Sequence, residues 1–200
     1  MNSAKEKGSL GLLMSRMTIS DVADNIRELR KAGADIDVND IASHLRPWEI
    51  MKNFVAFMGL GADIDIDELV EGLYPIDIVE NLGILLEYGA SIDMNFLVAE
   101  APSETLSEHA EKLLEYGANA QQLYGRMAPW EVVKNLDILK RYGVEVDADG
   151  LVRQLPRDEI LKNLDALVGA GAHIDFRDLV EQMLHVEIEQ YAGTLIKYCT

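Results

Sequence analysis

PWEIMKNFVAFMGLGADIDIDELVEGLY, residues 47–74, decides the fold. Ile50, Phe54, Phe57 and Met58 stand at i, i+4, i+7 and i+8, a spacing that lays one apolar stripe along a helix. Pro47 suits the first helical position, where its missing N–H costs no hydrogen bond. Gly61 is placed to end that helix in the left-handed conformation that most other residues resist. Asp65 then stands where a cap for a second helix belongs, with Glu68 three residues on as in a capping box. The second helix is short and carries Leu69 and Leu73. These residues predict a longer helix A, a tight turn, a shorter helix B and another tight turn.

The unit recurs along the chain. Glycines stand at 33, 61, 89, 117, 143 and 171, with gaps of 28, 28, 28, 26 and 28. Asn25, Asn53, Asn81, Asn135 and Asn163 keep step eight residues ahead, with His109 in the remaining place. The apolar columns return as Ile78, Leu82, Leu85 and Leu86 and as Val132, Leu136 and Leu139. Capping aspartates return as Asp37, Asp93, Asp147 and Asp175, and helix-starting prolines as Pro75 and Pro129. Fixed periods of this size mean stacked supersecondary units. The expected fold is all-α, a right-handed αα-solenoid of about six 28-residue hairpins with a half-repeat at each end. That amounts to roughly thirteen helices and no sheet. The chain is expected to open on a lone helix B and close on a lone helix A, with Cys199 in the glycine column. Residues 1–9 read as a flexible N-terminus and 10–200 as a single helical-repeat domain. Two residues are missing from the Gly117 repeat, placed by alignment between Ala120 and Leu123.

Composition narrows the function. Thirty-five acidic residues face 18 basic ones, a net charge of −17. Such a charge repels phosphate backbones, which makes nucleic acid an unlikely partner, and favours basic partners. Cys199 is the one cysteine and cannot form an internal disulfide, so a reducing, cytoplasmic location is expected. No stretch suits a signal peptide or a membrane span, so no membrane partner is expected, and a monomer is the default.

LLEYGASID (85–93) and LLEYGANA (113–120) resemble the end of an ankyrin repeat, where a second helix runs into a GAD turn. The ankyrin TPLHxA start is absent, and 28 residues leave no room for a β-finger. The resemblance implies a compact αα-hairpin array in the company of ankyrin, tetratricopeptide, HEAT and armadillo proteins, which mostly bind proteins or peptides.

The asparagine column is the leading candidate site, because Asn is a poor residue for a helix interior. Two readings stand. Its amide satisfies polar groups of the neighbouring repeat, or it holds the backbone of an extended peptide. The second reading rests on similarity to armadillo arrays, whose repeated Asn, with Trp and acids nearby, grip basic peptides. An acidic column sits four residues earlier: Asp21, Glu49, Asp77, Glu131, Glu159 and Glu187, with Thr105 the exception. Tyr88, Tyr116, Tyr142 and Tyr198 sit seven residues later. All three columns share one flank of helix A. Trp48 and Trp130 share another column with Ile76 and Val186, as exposed anchors or packed side chains.

Other chemistry has little support. Asp63, Asp65 and Asp67 lack the Gly and distal acid of a calcium loop, so capping explains them and no metal or cofactor is expected. His44, His109, His173 and His185 fall in four different columns and form no repeated site, so no enzyme is expected. The expectation is a non-catalytic protein- or peptide-binding scaffold with an acidic face for a basic partner. The alternatives are an acidic inhibitor mimicking nucleic-acid charge, or a modular nucleic-acid binder using the asparagine column.

Overall fold

A computed structural model describes residues 10–198. The segment expected to be flexible, 1–9, and the column position of Cys199 lie outside the described residues. The described residues are helical throughout, with no strand. The chain divides into two compact units, Met1–Ile92 and Asp93–Thr200.

Nineteen helical segments lie among the described residues, the first over 10–14 and eighteen more from Ile19 to Leu195, against the roughly thirteen expected. Most of the excess has one cause. Five of the A helices are each split in two at the asparagine column. Pro47–Lys52 and Phe54–Gly59 flank Asn53, which adopts φ −112° and ψ 12°. Asn25, His109, Asn135 and Asn163 take nearly the same conformation. The helix Pro75–Glu87 runs unbroken through Asn81.

Each A helix that reaches a column glycine ends in the same way. Gly33, Gly61, Gly89, Gly117, Gly143 and Gly171 all have positive φ, and no other described residue does. At Gly89 the N–H donates to the Leu86 carbonyl and the next N–H, of Ala90, donates to Leu85, both at 3.0 Å. This is the Schellman arrangement, and the other five glycines repeat it. A Cβ built on these six glycines meets nothing within 4 Å, so backbone conformation alone requires glycine there.

The B helices are capped as expected. Asp37, Asp65, Asp93, Asp147 and Asp175 each accept hydrogen bonds from backbone N–H groups in the first turn. In the Gly117 repeat the cap is Asn119, which accepts from the Gln122 N–H at 2.9 Å. The two missing residues therefore fall inside the turn, ahead of the helix, where a short Asn replaces the longer approach to Asp.

Within each unit the apolar columns make the core. Phe54, Phe57, Leu82 and Leu85 are completely buried in the first unit, and Leu97, Leu113, Leu139 and Leu167 in the second. In the second unit, helix Ser103–Glu108 packs on Pro129–Lys134, and Met94–Glu100 packs on Ala120–Arg126. Like thus packs on like, one repeat along.

Candidate functional site

The flank shared by the acidic, asparagine and tyrosine columns faces the preceding repeat's A helix. In the first unit, Glu49 accepts from the Ser20 hydroxyl, Asn53 donates to Asp24 at 2.7 Å, and Tyr88 meets Phe54 edge-on with ring centroids 5.0 Å apart. In the second, Glu131 accepts from Ser103 at 3.3 Å and Asn135 donates to Ser107 at 2.9 Å. Further along, Glu187 takes Arg157 on both oxygens at 3.0 Å, and the Tyr198 hydroxyl donates to Asp165 at 2.6 Å. The columns mark the seam between repeats.

The acids also serve their own helices. Glu49, Glu131, Glu187 and Asp21 each accept the backbone N–H three residues earlier, from Arg46, Ala128, Leu184 and Thr18. This satisfies donors that the start of a helix leaves open. Glu131 is only 5% exposed. Asp77 and Glu159 are half-buried; the Asn81 and Asn163 amides donate to their backbone carbonyls. Asn25 and Asn135 bond the carbonyl four residues back in the same manner. Asn81 makes this bond inside an unbroken helix, so the bond alone does not split helix A.

Electrostatics follow the seam. Hydrogen bonds from Lys52 and then Asn53 hold the Asp24 carboxyl below its ordinary value. The Ser20 hydroxyl, then the Arg46 N–H, does the same for Glu49. Asp165 is lowered by Tyr198 and Lys197, and Tyr198 is raised in return.

Some of the expected site remains open to solvent. Trp48 is 46% and Trp130 49% exposed, while Tyr88, Tyr116 and Tyr142 are each partly exposed at the ends of their helices. The Arg46 guanidinium lies 5.8 Å from the Trp48 ring centroid, within cation–π range. A groove of about 490 Å³ in the first unit brings together Asn25, Asn53 and Asn81 with Asp24, Arg27 and Lys52. A second, of about 420 Å³, joins Trp130, Glu131, Lys134 and Asn135 in the second unit. Acid and base are mixed in both.

No family model matches the chain, and neither does any curated protein or solved structure.

A second ladder runs along the A-to-B turns, and the sequence reading missed it. Asn39 accepts from the Asp63 N–H and Asp67 from the Ser91 N–H, both at 2.8 Å, and Asp149 accepts from the His173 N–H at 2.7 Å. The signal was present: Asn39, Asp67 and Asp149 each stand two residues after a capping Asp. Asp65 and Asp67 thus hold a helix start and a neighbouring turn. Among the described residues no group of three His, Cys, Asp or Glu is placed to hold a metal ion. None of the described helices is long and apolar enough to cross a membrane.

The same edge concentrates acidity in the first unit. Residues 33–40 carry Asp35, Asp37 and Asp40, and residues 61–68 carry Asp63, Asp65, Asp67 and Glu68. All seven are exposed, and neither stretch contains Lys or Arg.

Proposed function

We propose that the chain is a right-handed αα-solenoid of about six hairpins, with a half-repeat at each end, that works as a non-catalytic scaffold for a basic protein or peptide. The solenoid reading is supported by the seam, in which the same columns join one A helix to the next within each unit. A repeat array presents the same residue types at regular intervals, which suits an extended partner. The reading includes a cytoplasmic location, supported by the lone Cys199.

One observation carries the choice of partner: the seven exposed carboxylates of residues 33–40 and 61–68, two stretches that contain no Lys or Arg. A field of one sign steers a partner of the other sign and raises its association rate. The Glu–Asn–Tyr flank contributes through its exposed tyrosines, with Trp48 and Trp130 as flat anchors of the kind enriched at binding hot spots.

The test compares the wild type with the triple variant Asp35→Asn, Asp63→Asn, Glu68→Gln, using a Lys- and Arg-rich peptide as probe. None of the three side chains caps a B helix. Association with the wild type is expected to be fast at low salt and to slow steeply as salt rises, and the triple variant is expected to associate more slowly. Equal rates for the two proteins, or rates indifferent to salt, would remove the acidic edge from the account.

A further inference from the structure

The seam has a repeating grammar. One A helix presents its first, fifth, sixth and ninth positions forward, as Ser103, Ser107 and Glu111 do, or Asp24 and Arg27, or Arg157 and Asp165. The next presents its third, seventh and thirteenth positions backward, as Glu131, Asn135 and Arg141 do. Two faces of this kind are open in the described structure. The backward face of Ile19–Asp24 and Ile26–Lys31 lies in a largely apolar groove of about 490 Å³, lined by Leu10, Leu13, Met17, Asp21, Asn25 and Leu29 among others. Asp21 and Asn25 occupy the columns that Glu131 and Asn135 use to hold a neighbour. The forward face belongs to helix His185–Leu195, where Val186 is 63% and the adjoining Ile196 65% exposed.

The two faces complement each other. In register, His185 takes the place of Arg157 and Asp21 that of Glu187, so the Arg157–Glu187 pair becomes His185 with Asp21. Glu189 and Gln190 take the places of Ser107 and of Asp24, which receive Asn amides, and would receive Asn25. Val186 and Ile196 supply apolar surface for the groove. The groove's charged lining is acidic, Asp21 and Glu28, so the contact rests on the hydrogen-bond register, on His185 facing Asp21 and on apolar surface, not on opposite net charge.

We propose that the protein associates head to tail with a second copy, the open face of His185–Leu195 on one copy filling the groove beside Asp21 and Asn25 on the next. The contact replaces the monomer expected from sequence and extends the internal seam between chains. It is heterologous, so each copy keeps one unused face and growth continues unless a ring closes.

Sedimentation velocity of the full chain over a concentration series tests it. The expected mass rises above the 22.3 kDa of one chain as concentration increases. Leu13→Asp and Val186→Asp are each expected to stay monomeric alone. Mixed in equal amounts they are expected to form a one-to-one dimer that grows no further, because each supplies the face the other lacks. Ala32→Arg, at another residue of the groove lining, and Ile196→Asp serve as a second pair should circular dichroism show lost helix in the first. A wild type that remains one chain at its highest soluble concentration would overturn the proposal. So would a wild-type oligomer that withstands both substitutions, or mixed variants that stay monomeric.

Discussion

Asn135 donates from its side-chain nitrogen to two oxygens: the Glu131 carbonyl of its own helix at 3.0 Å and the Ser107 hydroxyl of the preceding repeat at 2.9 Å. One residue thereby joins the break in helix A to the seam between repeats. At Asn135 a poor helix former is tolerated because the helix is not continuous there, with φ −109° and ψ 12°. Its amide, 5% exposed, has both partners it needs.

Asn135→Ala is expected to lose about 1–3 kcal/mol by leaving buried groups unsatisfied. Asn25→Ala is expected to lose less, since Asn25 is exposed and bonds the Asp21 carbonyl in its own helix. Urea midpoints of the two variants check this. Equal losses would mean that the column acts through helix geometry alone.

Gly89 sits at φ +93° with open space where a Cβ would go. Substitution there is strained by backbone conformation and not by crowding. Gly89→Asn is expected to cost least, Gly89→Ala about 1 kcal/mol, and Gly89→Val more, following each residue's tolerance of left-handed φ. Chemical denaturation gives the order. A valine no worse than asparagine would separate the glycine column from helix termination.

Acid is expected to loosen the seam at Asp24. Bonds from Lys52 and Asn53 lower the folded-state pKa of this carboxyl beneath its ordinary value of 3.8. In the window between the two values the unfolded chain binds more protons, so stability falls as pH falls. The contribution is complete above the ordinary value and lost as pH drops through the folded one. Asp24→Asn should therefore be less stable than wild type at pH 7, and the gap should close at strongly acid pH. A gap that is constant with pH would assign the loss to packing.

Much of the fold was legible because it rests on local chemistry. A positive φ demands Gly, a helix start demands Asp, and an apolar stripe demands a fixed period, so Gly61, Asp65 and Phe54 announce their roles. The deletion at Asn119 was harder to place, since an Asn can cap as an Asp does. The candidate site was half legible. The columns of Glu131 and Asn135 were visible in the sequence, and both side chains meet the preceding repeat, at Ser103 and Ser107. What the columns face is a tertiary fact, which neither spacing nor residue type encodes. The turn ladder through Asn39, Asp67 and Asp149 was overlooked because Asp near a helix start already had a sufficient local explanation.

The acidic column is expected to divide by burial. Glu131 accepts the Ala128 N–H at 2.7 Å and the Ser103 hydroxyl while nearly inaccessible to solvent. Asp77 is half-buried and receives Asn81 through its backbone carbonyl. Glu131→Gln should lower the urea midpoint clearly, and Asp77→Asn should scarcely move it. Matching small effects would restore the column as a surface feature whose only local role is with the helix dipole.

The central claim, that the asparagine column is a seam between repeats, is tested most directly by a double-mutant cycle on Asn135 and Ser107. Asn135→Ala, Ser107→Ala and the double variant are measured together by urea unfolding. Residues in contact couple by about 0.5–3 kcal/mol, whereas independent sites add within about 0.3–0.5 kcal/mol. The seam predicts coupling in the first range. Additive losses would contradict it and return Asn135 to the candidates for binding a partner.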